Sequence, residues 1–212
     1  MLKRKHVSLV VITSLVLLFS LVWLGGCPFG QTVLFSDDFH QDTGTWDVFS
    51  DAYGEVFFQN GQLHVLNYTS APFYTYSYAY QWFDDFILEV ETQLVAGTDD
   101  NWHVIDVRDS GGGNYYSFCI SADGYYMIKR IAGGSDNNLA FDTSPYINQG
   151  WGVVNLVHIE CVGNRLSLSV NGHLLAEVYD SANSAGDISL GVSSLAGSYS
   201  EIAYDNLVVT AP

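Results

Sequence analysis

The stretch Val154–Asp180, VNLVHIECVGNRLSLSVNGHLLAEVYD, decides how this chain folds. It holds three runs of strand-like residues cut by Gly163-Asn164 and Asn171-Gly172. Alternation of apolar and polar side chains marks strands with one buried face, and paired Gly and Asn supply the positive φ angles that tight hairpins need. A two-residue loop at Gly163-Asn164 sets Val157, Ile159 and Cys161 opposite Val170, Leu168 and Leu166, with His158 and Glu160 opposite Ser169 and Ser167. The second turn takes His173 as a third loop residue if Leu174, Ala176 and Val178 are to face Val170, Leu168 and Leu166. The expectation is a β-meander with one common apolar face.

Outside the meander the same signals recur. Phe57–Leu66 reads as a hairpin on Asn60-Gly61, and Tyr115–Ile120 with Tyr125–Ile131 as another around Asp123-Gly124. Phe86, Leu88 and Val90 alternate with Ile87, Glu89 and Glu91, while Trp102–Arg108 alternates less clearly. Gly133–Asn138 reads as a loop, and Ile188–Val192 and Ile202–Val209 as closing strands. Helical patterning is absent after residue 27, and no internal repeat points to a propeller or solenoid. Short runs separated by turns every few residues predict an all-β antiparallel sandwich or barrel.

The N-terminus carries Lys3, Arg4 and Lys5, then an apolar run from Val7 to Trp23, then Leu24-Gly25-Gly26-Cys27. Positive patch, apolar core and small residues form an export signal, with a signal anchor as the competing reading. Leu-Gly-Gly-Cys resembles the bacterial lipobox, which implies cleavage before Cys27 and lipid on that cysteine. The expected organisation is therefore a signal peptide at 1–26, a short lipid-anchored tether at 27–32 and one domain at 33–212. That places the mature chain outside the cytoplasm, held at the membrane of the cell envelope by lipid.

Without the leader, four Lys and Arg (Arg108, Lys129, Arg130 and Arg165) stand against 23 Asp and Glu, a formal charge of −19. Clustered cations are what phosphate arrays bind, so no nucleic-acid partner is expected and anionic lipid surfaces are poor partners. Cys119 and Cys161 are the cysteines left over. An oxidising compartment permits a disulfide between them, and burial as two unpaired thiols is the equal alternative.

Four pieces together resemble the concanavalin A-like jelly rolls of the laminin-G and bacterial glucanase type. They are Phe35-Ser36-Asp37-Asp38-Phe39 with Trp46, then Asp85–Val90, then Asn114–Phe118 with Asp123–Tyr126, and last Tyr204–Val209 after the meander. The resemblance implies two antiparallel sheets packed face to face and a face that binds sugars in many relatives. It also implies a structural calcium between the first and last strands, with Asp37, Asp38 and Asp205 near that seam, against a reading of these acids as turn caps. The glucanase Glu-x-Asp-x-x-Glu motif is missing. Glu89 and Glu91 share one strand face without a third acid at the required spacing, Gly-x-Ser-x-Gly does not occur, and the histidines are scattered. No catalytic residue is assigned.

Tyr74, Tyr76, Tyr78, Tyr80 and Trp82 recur at every second position, so an uninterrupted strand would show them all on one face. Their alternates Thr75, Ser77, Ala79 and Gln81 are small or polar, which favours a buried aromatic face. The other reading is an exposed platform on which sugar rings stack. Carbohydrate binding leads the functional expectations. A structural or adhesive envelope module with a protein partner is the alternative, and a glycoside-directed hydrolase the third.

Overall fold

The structure, a computed structural model, describes residues 30–69, 74–194 and 199–212. The leader and Cys27 lie outside the described residues. Along the chain run β1 (Val33–Asp37), β2 (Phe49–Ser50), β3 (Gly54–Gln59), β4 (Gln62–Asn67), β5 (Tyr74–Tyr78), β6 (Phe86–Ala96), β7 (Trp102–Asp109) and β8 (Tyr115–Ser121). They are followed by β9 (Tyr125–Ala132), β10 (Ser135–Thr143), β11 (Asn155–Val162), β12 (Arg165–Val170), β13 (His173–Tyr179), β14 (Asp187–Ser193) and β15 (Ser200–Thr210). All strand pairings are antiparallel.

The first sheet runs β13-β12-β11-β6-β15-β4-β3-β2. The long β15 takes β4 along Ser200–Tyr204 and β1 along Leu207–Thr210 on the same side. The second sheet runs β10-β9-β8-β7-β14-β5. Between them lies one core: Phe86, Leu88 and Val90 of β6 and Val157, Ile159 and Cys161 of β11 join Ile105, Phe118, Ile128 and Leu190 of the second sheet. A sandwich of two antiparallel sheets hides one face of each, and the expected all-β jelly-roll class is what forms.

In the meander the first hairpin has the expected register, with Val157, Ile159 and Cys161 opposite Val170, Leu168 and Leu166. The second differs. Asn171 and Gly172, with φ of 51° and 81°, close a two-residue turn, and His173 pairs with Val170 instead of joining the loop. The surplus residue is absorbed by a bulge between Leu168 and Ser169. Ala176 and Val178 keep their partners, but Leu174 is exposed, opposite Ser169, and Leu175 packs on the core in its place. Asn-Gly satisfies the positive φ at both positions of the turn, so the tight turn forms and the mismatch moves into the strand.

A second correction concerns Gly133–Asn138. Gly133 and Gly134, at φ of 57° and 79°, form a tight turn, and Ser135–Asn138 already belong to β10. This edge strand is mostly exposed, so its sequence carries polar residues and no apolar alternation.

The remaining cysteines are not joined. Cys119 lies on β8 of the second sheet and Cys161 on β11 of the first, both buried and both free thiols.

Candidate functional site

The second sheet is apolar on both faces. Inward, β7 and β8 give Ile105, Val107, Phe118 and Ile120 to the core; outward, Trp102, Val104, Cys119 and Met127 form a separate buried cluster. A strand buried on both faces shows no simple alternation. That is why Trp102–Arg108 reads less clearly than its neighbours.

The strand pairings place the outward side chains in rows across this sheet. One row holds Tyr76, Gly191, Val104, Cys119 and Met127, and the next holds Tyr78, Ser189, Asp106, Ser117 and Lys129. On β14 the outward positions are Ser189, Gly191 and Ser193, too short to fill the sheet surface. They leave a trough between the tyrosines of β5 and the floor built by β7 and β8. A Cβ at Gly191 would stand 2.8 Å from the Thr75 carbonyl oxygen and 3.0 Å from Tyr76 Cβ, so the close approach of β5 requires glycine there. The resulting cavity measures about 390 Å³.

The tyrosine ladder forms one wall of it. Tyr74 and Tyr76 are 49% and 39% exposed, while Thr75, Ser77 and Ala79 are buried. The expected buried aromatic face is thus reversed. The inward side of β5 meets the backbone of β2–β4: Thr75 packs on Gly54, and Ser77 Oγ donates to the Asp47 carbonyl at 3.0 Å. Only small side chains fit, so the rings point out. Tyr76 and Tyr78 meet edge to face at 5.4 Å between ring centres. The ladder stops there as a wall: Tyr80, at φ of 54°, hydrogen-bonds Asp47 through its hydroxyl, and neither Tyr80 nor Trp82 lines the cavity.

Two carboxylates occupy the other end. Strict alternation would put Asp106 and Asp109 on opposite faces, but Arg108 has φ of 52° and the register slips between Asp187 and Ser189, so both acids line the cavity. Asp106 is 6% exposed. Its Oδ2 is 3.5 Å from the Ser189 hydroxyl, and its Oδ1 has no hydrogen-bond partner. Burial, aided by the charge of Asp109, pushes its carboxyl up to about 7, and nearby Ser117, Ser189 and Lys129 offset only part of this. Asp109 accepts hydrogen bonds from the Tyr78 hydroxyl at 3.2 Å and from the Gly111 amide at 2.7 Å. Beyond it Gly111-Gly112-Gly113 form a rim without side chains. Burial also pushes the Cys119 thiol up to about 12, which leaves it inert in the floor.

Arg108 holds the bulge in place. Its side chain is 1% exposed and donates to the carbonyls of Asp84, Gly163 and Asn183 and to Asp85 Oδ1 at 3.0 Å. Asp85 in turn accepts the Gly163 amide at 2.8 Å. The remaining cations outside the leader are also engaged: Lys129 with Asp136 and Arg130 with Asp180, each at 2.8 Å, and Arg165 with Glu160 and Glu177. Asp106 and Asp109 have no such cation among the described residues.

Other expected sites fall elsewhere. Glu89 and Glu91 sit on the outer side of β6 in the first sheet, where Glu89 lies 3.0 Å from His158 Nδ1, and they do not line the cavity. Asp37 does reach the seam of β1 and β15, but its oxygens accept the Phe39 amide at 2.9 Å and Trp46 Nε1 at 3.0 Å, locking Trp46 against Phe39. Asp38 bonds the His40 amide, Asp205 bonds the Asn206 amide, and no group of three His, Cys, Asp or Glu is placed to hold a metal among the described residues. In this structure each of these acids accepts a nearby backbone amide.

The sequence matches no protein-family profile and no curated protein. Its fold is similar to solved structures at low identity. A carbohydrate-binding module, CBM66, from Bacillus subtilis superposes with a TM-score of 0.65 at 14% identity, over 79% of this chain and 96% of that one. A protein of unknown function with a galectin-like fold, from Bacillus subtilis, gives 0.67 at 11%, over 84% and 96%. The Bacillus licheniformis β-glucanase gives 0.62 at 14%, over 86% and 98%. With the two sheets described above, these likenesses define a concanavalin A-like jelly roll.

Proposed function

We propose that this protein is a non-catalytic carbohydrate-binding module, displayed at the cell envelope by lipid on Cys27. One observation carries the reading: the trough is walled by the outward rings of Tyr74, Tyr76 and Tyr78, over a floor in which apolar Val104 and Met127 lie beside Asp106 and Ser117. Aromatic faces stack on the apolar faces of sugar rings, and the polar groups at the acidic end accept hydroxyl protons. That structural neighbours include a carbohydrate-binding module and a glucanase supports the same class of ligand.

The test is calorimetric titration of the full chain, in detergent, with soluble glycans. Binding that Tyr76→Ala weakens supports the module, and a flat response to every glycan turns attention to a protein partner, sought by crosslinking in intact cells. Mass spectrometry of the mature N-terminus checks the address: acyl groups on Cys27, and an unprocessed chain for Cys27→Ala. A glycoside-directed hydrolase is the second reading, because Asp106 and Asp109 face one cavity and glycoside hydrolysis uses two carboxyl groups. Release of reducing sugar by the wild type, lost in Asp106→Asn and Asp109→Asn, would put it first.

A further inference from the structure

The acidic end of the trough has a chemistry that a neutral sugar leaves half used. Asp106 and Asp109 lie on one strand, turned to one side by the bulge at Arg108. Asp106 lines the cavity, is nine-tenths buried, and its Oδ1 has no hydrogen-bond partner among the described residues. A buried acceptor without a donor is costly, and two neighbouring carboxylates without a cation repel each other. The one cation in the lining, Lys129, is held by Asp136 at 2.8 Å and stands two strands from Asp106 on the side away from β5. On the near side stand Tyr76 and Tyr78, whose rings favour both a sugar face and a cation.

We propose that this groove selects sugars carrying a free amine, of the deacetylated hexosamine class, with the ammonium between Asp106 and Asp109 and the ring against Tyr76 and Tyr78. The inference rests on the carbohydrate-binding reading and deepens it. An ammonium supplies hydrogen-bond donors and a charge to both carboxylates, whereas an N-acetyl group supplies one neutral N–H and adds bulk.

The experiment titrates the full chain in detergent with a glucosamine tetramer, its fully N-acetylated counterpart and a glucose tetramer, at 0.15 M and 0.5 M salt. The expected result is at least about tenfold tighter binding of the amine form than of the acetylated one, as a charge-assisted hydrogen bond allows. That preference should persist at 0.5 M salt, which would screen a diffuse attraction to the acidic surface. Asp106→Asn and Asp109→Asn should each bring the preference of amine over acetylated form near one. Thermal midpoints of both variants show that they fold. Equal binding of amine and acetylated forms, or a preference that survives both substitutions, overturns the inference and leaves the binding module standing. No binding by any of the three, alongside a flat wider glycan screen, overturns the module itself.

Discussion

The outer faces of the two sheets teach different things. On the first sheet the outward positions of β6, β11 and β12 carry Glu89, His158, Glu160 and Arg165, linked in pairs that water can reach. On the second sheet the equivalent side carries Trp102, Val104, Cys119 and Met127, buried beneath a wall of tyrosines with Asp106 beside them. Exposed ion pairs contribute little, so the first face is a solvated skin. The second face is apolar with a buried carboxyl beside it, and it is the face on which the proposed glycan site lies.

The sharpest way to break this contrast is to remove what turns Asp109 towards Asp106. Arg108→Ala strips four hydrogen bonds from a fully buried guanidinium and leaves Asp85 without its cation. Asp85 is half-exposed, so the loss lies in the guanidinium's own hydrogen bonds, each worth roughly 1.5–3 kcal/mol to a charged group, and denaturant unfolding should register it. Groove binding should fall with it even where the variant stays folded, because the bulge loses its support.

Asp106→Asn tests the same face through pH. Folding raises the carboxyl of Asp106 to about 7, so its stabilising protonated form is present at low pH and stability is lost as pH rises from about 4 through 7. On the inward side of the same strand, burial lowers His103 to about 3, so stability is lost as pH falls from about 6.5 towards 3. The two slopes oppose each other between about pH 4 and 6.5. With Asn at position 106 the His103 slope stands alone, and the stability difference between variant and wild type should grow by roughly 2–4 kcal/mol from pH 4 to pH 8. Urea unfolding at several pH values checks this, and a difference that stays flat would mean that Asp106 is well solvated.

Tyr204 ties the floor of the groove to the opposite sheet. From β15 its hydroxyl accepts the Val104 amide at 3.0 Å and donates towards the carbonyls of Gly191, at 2.6 Å, and Val104. Tyr204→Phe leaves buried backbone groups without that partner and should cost about 1–2 kcal/mol, measured by urea unfolding.

What could be read in the sequence follows the same division between faces. In β6 and β11 buried and wetter positions alternate, and with the Gly163-Asn164 turn that alternation gave the β11–β12 register residue by residue, Cys161 opposite Leu166 included. Position 174 escaped because a turn and a bulge can absorb the same extra residue, and no pattern in Leu174-Leu175 separates them. The tyrosine ladder was visible, but its direction depended on Thr75 lying against Gly54, a contact between distant segments. Asp106 and Asp109 were hidden by a positive φ at an arginine, a residue whose type does not announce one. Asp106-x-x-Asp109 would have been a signal only to a reader expecting a bulge there.

The smallest effects set the two faces side by side. Tyr76→Ala removes an exposed ring from an edge strand and should leave stability nearly unchanged while weakening glycan binding by about 1 kcal/mol or more. Glu89→Gln on the other face breaks an exposed contact with His158 and should shift stability by less than about 0.5 kcal/mol. It should leave glycan binding untouched, because Glu89 does not line the trough. If Glu89→Gln weakened binding as much as Tyr76→Ala, the charged face would be the recognition surface, and the burial of Trp102 and Met127 would be no more than folding.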